Sequence, residues 1–403
     1  MIQISPATQV FIHEHQADDV RTLALQAKKY PNVDMPIAIT QIAGRQIATE
    51  KIPSWKKIDD IWYPKHLSLE QCSSEITARY KAKLIQGQSL TDLTGGFGID
   101  CSFLAAGFKS VVYIERQEEL CEIAAHNFSI LGLNHINIKN EDGVAYLKMM
   151  SPVDCIFLDP ARRNEHGGKT VAISDCEPNV SELEQLLLEK ANKVMIKLSP
   201  MLDLSLALKE LQQTQEVHII SVNNECKELL LILGQTPAKE VPIHCVNFSS
   251  KGEQKFTFTR EQEQHSECTY TDILADYLYE PHASLLKGGA YKSLSSAYHI
   301  SKLHPNSHLY TSDILIENFP GRVFQIKGYC SFNKKEIKAT LGLLEKANIT
   351  IRNFPASVAE LRKRTKLSDG GSTYLFATTS NNEKKLLILC EKALISTNLK
   401  GIN

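Results

Sequence analysis

Between Ser89 and about Gly234 the chain alternates short continuous apolar runs with longer stretches in which apolar residues recur at helical spacing. The runs predict strands at Ser89–Leu93, Val111–Glu115, Ile136–Lys139, Cys155–Leu158, Lys193–Leu198, His218–Val222 and Leu229–Leu233. The stretches between them predict helices such as Ile99–Ala106, Gln117–Leu131, Val180–Lys190 and Leu204–Gln212. Apolar strands separated by helices imply a parallel sheet covered on both faces. The last two runs are joined by a link too short for a helix, which implies a hairpin and one antiparallel strand.

The flanks read differently. Residues 1 to about 70 are mostly helical, with Val20, Leu23, Ala24 and Ala27 at helical spacing and Pro31, Pro36, Pro53 and Pro64 as punctuation. One further helix is expected to start at Ser68–Gln71 and to run through Glu75–Gln86. After Gly234, Lys255–Thr259 alternates like a strand and leads into a linker. Thr271–Tyr279 reads as helix, Arg322–Ile326 and Tyr374–Ala377 as strands, and Lys334–Lys346 and Val358–Lys363 as helices. This is a separate α+β region, and 403 residues imply two or three domains.

Composition, 43% apolar and 23% charged, is that of a globular protein. No apolar run approaches the ~18 residues of a membrane span. Met1–Pro6 has no basic segment leading into an apolar one, so the expectation is a cytoplasmic protein without a membrane partner. Ten scattered cysteines form no C-x-x-C pair, so buried reduced thiols are expected and no metal. The net charge of −1 hides an asymmetry: Gly321–Asn403 holds 15 Lys and Arg against 6 Asp and Glu, a net of +9 that leaves −10 for the rest. A basic C-terminal part fits contact with a polyanion.

The first run ends in Asp92-Leu93-Thr94-Gly95-Gly96-Phe97-Gly98. Glycines there let backbone approach a ligand, because no Cβ intervenes. A dinucleotide turn would need a third glycine where Cys101 stands, and Asp92 would oppose a pyrophosphate. A cationic ligand with an amino-acid tail fits better. Glu115, 23 positions after Asp92, can accept both hydroxyls of a ribose. Asp142-Gly143 can accept an adenine amino group. Asp159-Pro160-Ala161-Arg162-Arg163 ends the fourth strand, at the sheet edge where ligands bind. Lys197 ends the next strand on the same cleft.

A glycine turn followed by acidic strand ends in this order resembles class I S-adenosylmethionine-dependent methyltransferases, which have a Rossmann-like sheet. Asp159–Arg163 resembles the Asp-Pro-Pro-aromatic motif of amino methyltransferases, with Ala161 in place of the second Pro and Arg162 in place of the aromatic. Uracil-C5 methyltransferases also carry Asp-Pro-x-Arg but need a cysteine nucleophile, and Lys197-Leu198-Ser199-Pro200 offers none. Together with Tyr279-Glu280-Pro281-His282-Ala283, Phe319-Pro320-Gly321-Arg322, Ile351-Arg352-Asn353-Phe354-Pro355 and Leu361-Arg362-Lys363-Arg364, the chain resembles Bacteroidetes-type methyltransferase proteins with a THUMP-like C-terminal domain. The resemblance implies a helical region at 1–70, a methyltransferase domain at 71–265, a ferredoxin-like domain at 266–325 and a THUMP-like domain at 326–403. It implies S-adenosylmethionine as the donor, held by Asp92, Thr94, Gly95, Gly96, Phe97, Gly98, Glu115, Asp142 and Gly143. Asp159, Pro160 and Arg162 would be catalytic, with an amino nitrogen favoured as acceptor. THUMP-type domains bind RNA in other modifying enzymes, so rRNA or tRNA is the implied substrate, met by Arg163, Lys197, Arg352, Arg362, Lys363 and Arg364. Three alternatives stay open: a non-catalytic RNA-binding protein on a degenerate scaffold, suggested by Ala161-Arg162; a methyltransferase acting on protein or a small molecule; and a nicotinamide enzyme.

Overall fold

The computed structural model describes residues 4–162 and 173–394. The chain forms two compact units, Met1–Glu216 with Leu229–Ala238 and Val217–Glu228 with Lys239–Asn403.

The first unit opens with helices α1 (Pro6–Glu14), α2 (Val20–Leu25), α3 (Met35–Lys51), α4 (Pro53–Lys56), α5 (His66–Gln71) and α6 (Glu75–Ala82). Side-chain caps set their starts: Ser5 accepts from Thr8 N at α1, and Asp34 from Ile37 N at α3, each with Pro in the first turn. The single helix expected across Ser68–Gln86 is two, because Cys72 turns extended (φ −67, ψ 160) and Glu75 starts a new turn.

The strands are β1 (Ser89–Asp92), β2 (Ser110–Ile114), β3 (Ile136–Lys139), β4 (Val153–Leu158), a short antiparallel ribbon of β5 (Ala161–Arg162) and β6 (Cys176–Glu177), β7 (Ala191–Leu198), β8 (Thr214–Val222) and β9 (Glu225–Gly234). In the first unit the sheet order is β9-β7-β4-β1-β2-β3, parallel except for β9. Helices α7 (Ile99–Leu104), α8 (Glu118–Ile130), α9 (Gly143–Met149) and α10 (Val180–Lys190) lie between the parallel strands, and α11 (Leu204–Glu210) precedes β8. Leu90, Val111, Cys155, Phe157, Met195 and Ile232 form the centre of the core, none above 2% exposed. Asn223 and Asn224 join β8 to β9, both at positive φ (50° and 65°), which is the backbone of a two-residue I′ link.

In the second unit β8 pairs in parallel with β10 (Ile243–Ser249), which pairs antiparallel with β11 (Gly252–Phe258). The expected linker after β11 holds a helix, α12 (Arg260–His265), started by a capping box on Thr259. A seven-stranded sheet follows, built from β12 (Tyr277–Pro281), β13 (Ser301–Lys302), β14 (Tyr310–Ser312), β15 (Gly321–Ser331), β16 (Asn348–Arg352), β17 (Thr373–Thr379) and β18 (Lys385–Lys392). Its order is β13-β14-β12-β15-β18-β17-β16, with β16 parallel to β17. Four helices accompany it: α13 (Ala283–Gly288), α14 (Lys292–Tyr298), α15 (Lys334–Leu341) and α16 (Val358–Thr365). The helix expected at Thr271–Tyr279 is absent. β12 lies between β14 and β15 with Leu278 and Tyr279 fully buried, so cross-strand pairing on both sides overrides the local helical pattern. Among the described residues no helix is long and apolar enough to cross a membrane.

Candidate functional site

The glycine turn is tied to both strands that flank β1. Leu93 N–H donates to Phe157 O at 3.0 Å and Gly95 N–H to Ile114 O at 2.8 Å. Gly96 (φ 56°) and Gly98 (φ 86°) take the left-handed backbone that favours glycine. A Cβ on Gly96 would meet nothing nearer than Thr94 O at 3.8 Å, so the turn opens to free space there. Gly143 is required for the opposite reason: a Cβ would lie 2.2 Å from Leu93 O, so only glycine lets α9 start against the end of β1. Phe97 is buried. Its ring packs on Trp55 (centroids 5.4 Å) and Tyr63 (6.2 Å), in the core under the N-terminal helices.

Three acidic residues surround this turn in different states. Glu115 is 8% exposed and accepts Gly96 N–H at 2.9 Å and Gln117 N–H at 2.8 Å, one on each oxygen. Each oxygen keeps a lone pair for a further donor. Asp142 is exposed and caps α9 through Ala145 N–H at 2.9 Å. Asp92 is 1% exposed; its Oδ1 accepts Thr94 N–H at 3.0 Å, and its Oδ2 has no hydrogen-bond partner. Burial pushes its carboxyl well above the usual range; the Thr94 bond opposes this, and Asp100, Asp159 and Glu115 add to it. An orphaned buried oxygen among further carboxylates suits a ligand with a positive end.

Asp159 sits at the end of β4, its N–H donating to Thr94 Oγ1 at 2.6 Å. Its Oδ2 is ion-paired with Lys197 Nζ. Lys197 reaches on to Asp100 Oδ2 at 3.4 Å and donates to Ser73 Oγ at 3.2 Å. From the other side Lys81 Nζ lies 2.9 Å from Asp100 Oδ1 and 2.8 Å from Ser73 Oγ, while the Ser73 hydroxyl donates to Asp100 Oδ2 at 2.7 Å. Two ammonium groups and two carboxylates therefore alternate along one chain. The side chains of Lys81, Asp100 and Lys197 are 0%, 10% and 9% exposed; that of Asp159 is 37%. Burial would raise Asp100, but Lys81 and Lys197 outweigh it and hold the carboxyl at about 2. Burial raises Asp159, against the pull of Lys197.

Several residues expected to contact substrate have partners within the protein. Lys197, expected on substrate, has its ammonium engaged inside the protein. Arg352 donates to Glu280 Oε1 at 2.8 Å, Arg362 pairs with Asp369, and the Arg364 guanidinium lies 4.6 Å over the Phe332 ring. Lys363 is exposed on α16. Pro160 is buried, Arg162 is described for its backbone only, and Arg163 lies outside the described residues. The sequence reading missed Ser73, Lys81 and Asp100. A signal was present for one of them: Lys81 follows the buried Thr77 and Ala78 at helical spacing, where the period asks for an apolar residue.

Family profiles match three stretches of the chain. A family profile described as protein-L-isoaspartate(D-aspartate) O-methyltransferase matches residues 61–164, across β1–β4. Profiles described as a ferredoxin-like domain and as THUMP domain-like match 277–320 and 321–392. A crystal structure from Porphyromonas gingivalis W83, provisionally assigned as a methyltransferase, is 35% identical, with a TM-score of 0.86 over 98% of this chain and 100% of the other. An rRNA methylase from Streptococcus thermophilus is 15% identical over 40% of this chain and 95% of its own, with a TM-score of 0.30. A provisionally assigned methyltransferase from Streptococcus mutans, in complex with S-adenosylhomocysteine, is 16% identical over 40% and 96%, with a TM-score of 0.30. No curated protein matches the chain.

Proposed function

The chain belongs to the family of methyltransferase proteins with ferredoxin-like and THUMP-like domains represented in Porphyromonas gingivalis, and on that premise we propose that it is an S-adenosylmethionine-dependent methyltransferase acting on a base in RNA. The observation that carries the donor assignment is the orphaned, buried Asp92 oxygen beside an open glycine turn. Asp92, Glu115 and Asp142 would hold the donor's polar groups, with the backbone of Thr94–Gly98 and Gly143 lining its path. When bound, the donor supplies a methyl group on a positively charged sulfur, an electrophile that needs alignment more than acid catalysis.

The chain's own residues supply that alignment. Asp159 accepts an N–H bond from an exocyclic amine, and the Pro160 carbonyl accepts the second, which turns the nitrogen lone pair toward the methyl. Lys197 occupies Asp159 Oδ2 and leaves Oδ1 for the acceptor. Thr94 Oγ1 fixes the Asp159 backbone relative to the glycine turn. The proton that the methylated nitrogen must lose passes to solvent through the exposed side of Asp159. The THUMP-like domain and the basic C-terminal part support RNA as the substrate.

Two measurements test this reading. S-adenosylhomocysteine should bind the purified protein, and absence of binding at millimolar ligand would end the donor assignment. Mass spectrometry of nucleosides from total RNA of a deletion strain should show one methylated nucleoside missing, restored by the parent gene and not by Asp159→Ala. A donor that binds with no missing nucleoside favours the non-catalytic reading, for which Ala161 and the Lys197-bound Asp159 are the motive.

A further inference from the structure

Three sequence-distant runs, Tyr279–Ala283, Phe319–Arg322 and Ile351–Pro355, meet in the second unit at one carboxylate. Glu280 on β12 is 0% exposed at its side chain. Arg322, at the start of β15, donates from Nε to Oε2 at 2.7 Å with Nη2 on the same oxygen. Arg352, at the end of β16, donates to Oε1 from Nη2 at 2.8 Å and from Nε at 3.2 Å. We propose that Arg322 and Arg352, oriented by Glu280, form a binding site for a phosphate group.

One bidentate arginine would neutralise a buried carboxylate; the second leaves an excess positive charge. Each guanidinium presents one edge to Glu280, and among the described residues the Nη1 group of neither has an acceptor. Their side chains are 37% and 31% exposed, so these groups reach solvent. Glu280 holds the two arginines on different oxygens, so their outer donors point along two directions. Free guanidinium N–H groups on two arginines suit an oxyanion with several acceptor oxygens.

The surroundings add one cation, Lys302, which acts with Arg352 on His308. Lys302 is buried, with Nζ 4.8 Å over the Tyr291 ring and donating to Pro305 O at 2.8 Å. His308 stacks on Tyr291 at 3.8 Å; burial together with Lys302, Arg352 and His304 holds it down to about 4, so it stays neutral. The nearby carboxylates have partners of their own: Glu263 takes N–H groups from Tyr291, Lys292 and Ser293, and Glu383 takes His304 at 3.0 Å.

The phosphate itself needs no methyl donor; only its source rests on the RNA reading. That source is either a chain phosphodiester or a terminal monoester. The test uses the full-length protein at fixed ionic strength, a short single-stranded RNA with a 5′-hydroxyl or a 5′-phosphate, and inorganic phosphate as competitor. Inorganic phosphate should displace the RNA. Arg322→Gln and Arg352→Gln should each weaken RNA binding roughly tenfold or more, with S-adenosylhomocysteine affinity unchanged. Tighter binding of the 5′-phosphate form marks a monoester site, and equal binding a diester site. Arg322→Lys and Arg352→Lys keep a charge on Glu280 and guard against misfolding; they should also bind weakly, because the planar fork is gone. Variants that bind RNA like the parent, or phosphate that fails to compete, overturn the proposal. A parent that binds phosphate but not S-adenosylhomocysteine leaves this site standing and ends the methyl-donor reading; the reverse result ends this site alone.

Discussion

Asp100 in the first unit and Glu280 in the second are both buried carboxylates held between two cations, and they differ in what the cations can see. Lys81 and Lys197 are as buried as Asp100 itself, and the second lysine is balanced by Asp159. The charge chain closes to neutrality and fixes one partly exposed carboxylate, Asp159. Arg322 and Arg352 are about one third exposed, and among the described residues no second carboxylate balances them at Glu280. The first arrangement positions an anion by burying its supports, whereas the second presents cations by burying their anchor.

The largest expected effect breaks this contrast at its centre. Asp100→Asn leaves two buried ammonium groups without their shared anion and should cost about 3–5 kcal/mol in denaturant unfolding. Glu280→Gln leaves arginines that water can reach and should cost about 1–2 kcal/mol. Equal losses would mean that exposure of the partners is not what separates the two sites.

Lys197→Met should lower methyl transfer about 100-fold by releasing Asp159 from its set position, with S-adenosylhomocysteine affinity within about threefold of the parent. Lys197→Arg should recover part of the rate. A variant that loses donor affinity along with rate would place Lys197 in the donor site instead.

Asp92 sharpens the comparison because it is buried with no cation beside it among the described residues. Its pKa is raised by burial, so the folded state holds a proton that the unfolded chain has already released; stability falls as pH rises from the ordinary carboxylate range through the folded value. Asp92→Asn should therefore melt higher than the parent at neutral pH and lose that advantage in acid. It should also bind the donor tenfold or more weakly. In the parent, a cationic ligand favours the ionised form, so donor binding should release protons and tighten as pH rises, which calorimetry in buffers of different ionisation enthalpy reads directly.

Lys363→Gln is the smallest change. It should shift stability by less than about 0.5 kcal/mol and lower the salt slope of RNA binding by roughly one. A loss as large as that of Arg352→Gln would move the polyanion contact to α16.

Legibility in the sequence followed the range of the interactions. The parallel strands β1–β4 and β7 were readable because strands buried on both faces write themselves as continuous apolar runs. The places of Asp92, Glu115 and Asp159 at strand ends were readable because each closes such a run. β12 was not, since its identity as a strand depends on β14 and β15, which lie 33 and 44 residues further along at Tyr310 and Gly321. Phe97 was misjudged because a residue inside a ligand turn can face either way, and Trp55 and Tyr63 decide which.

Local order along the chain determined the individual strands, the glycine turn and the succession of acidic strand ends, because those depend on neighbours a few residues apart. Only the tertiary structure brought Lys81 and Lys197 to Asp100, or Arg322 and Arg352 to Glu280, across separations of 19 to 97 residues. Charges find their partners through space, and burial then sets which of them stay inside the protein and which remain available to a ligand.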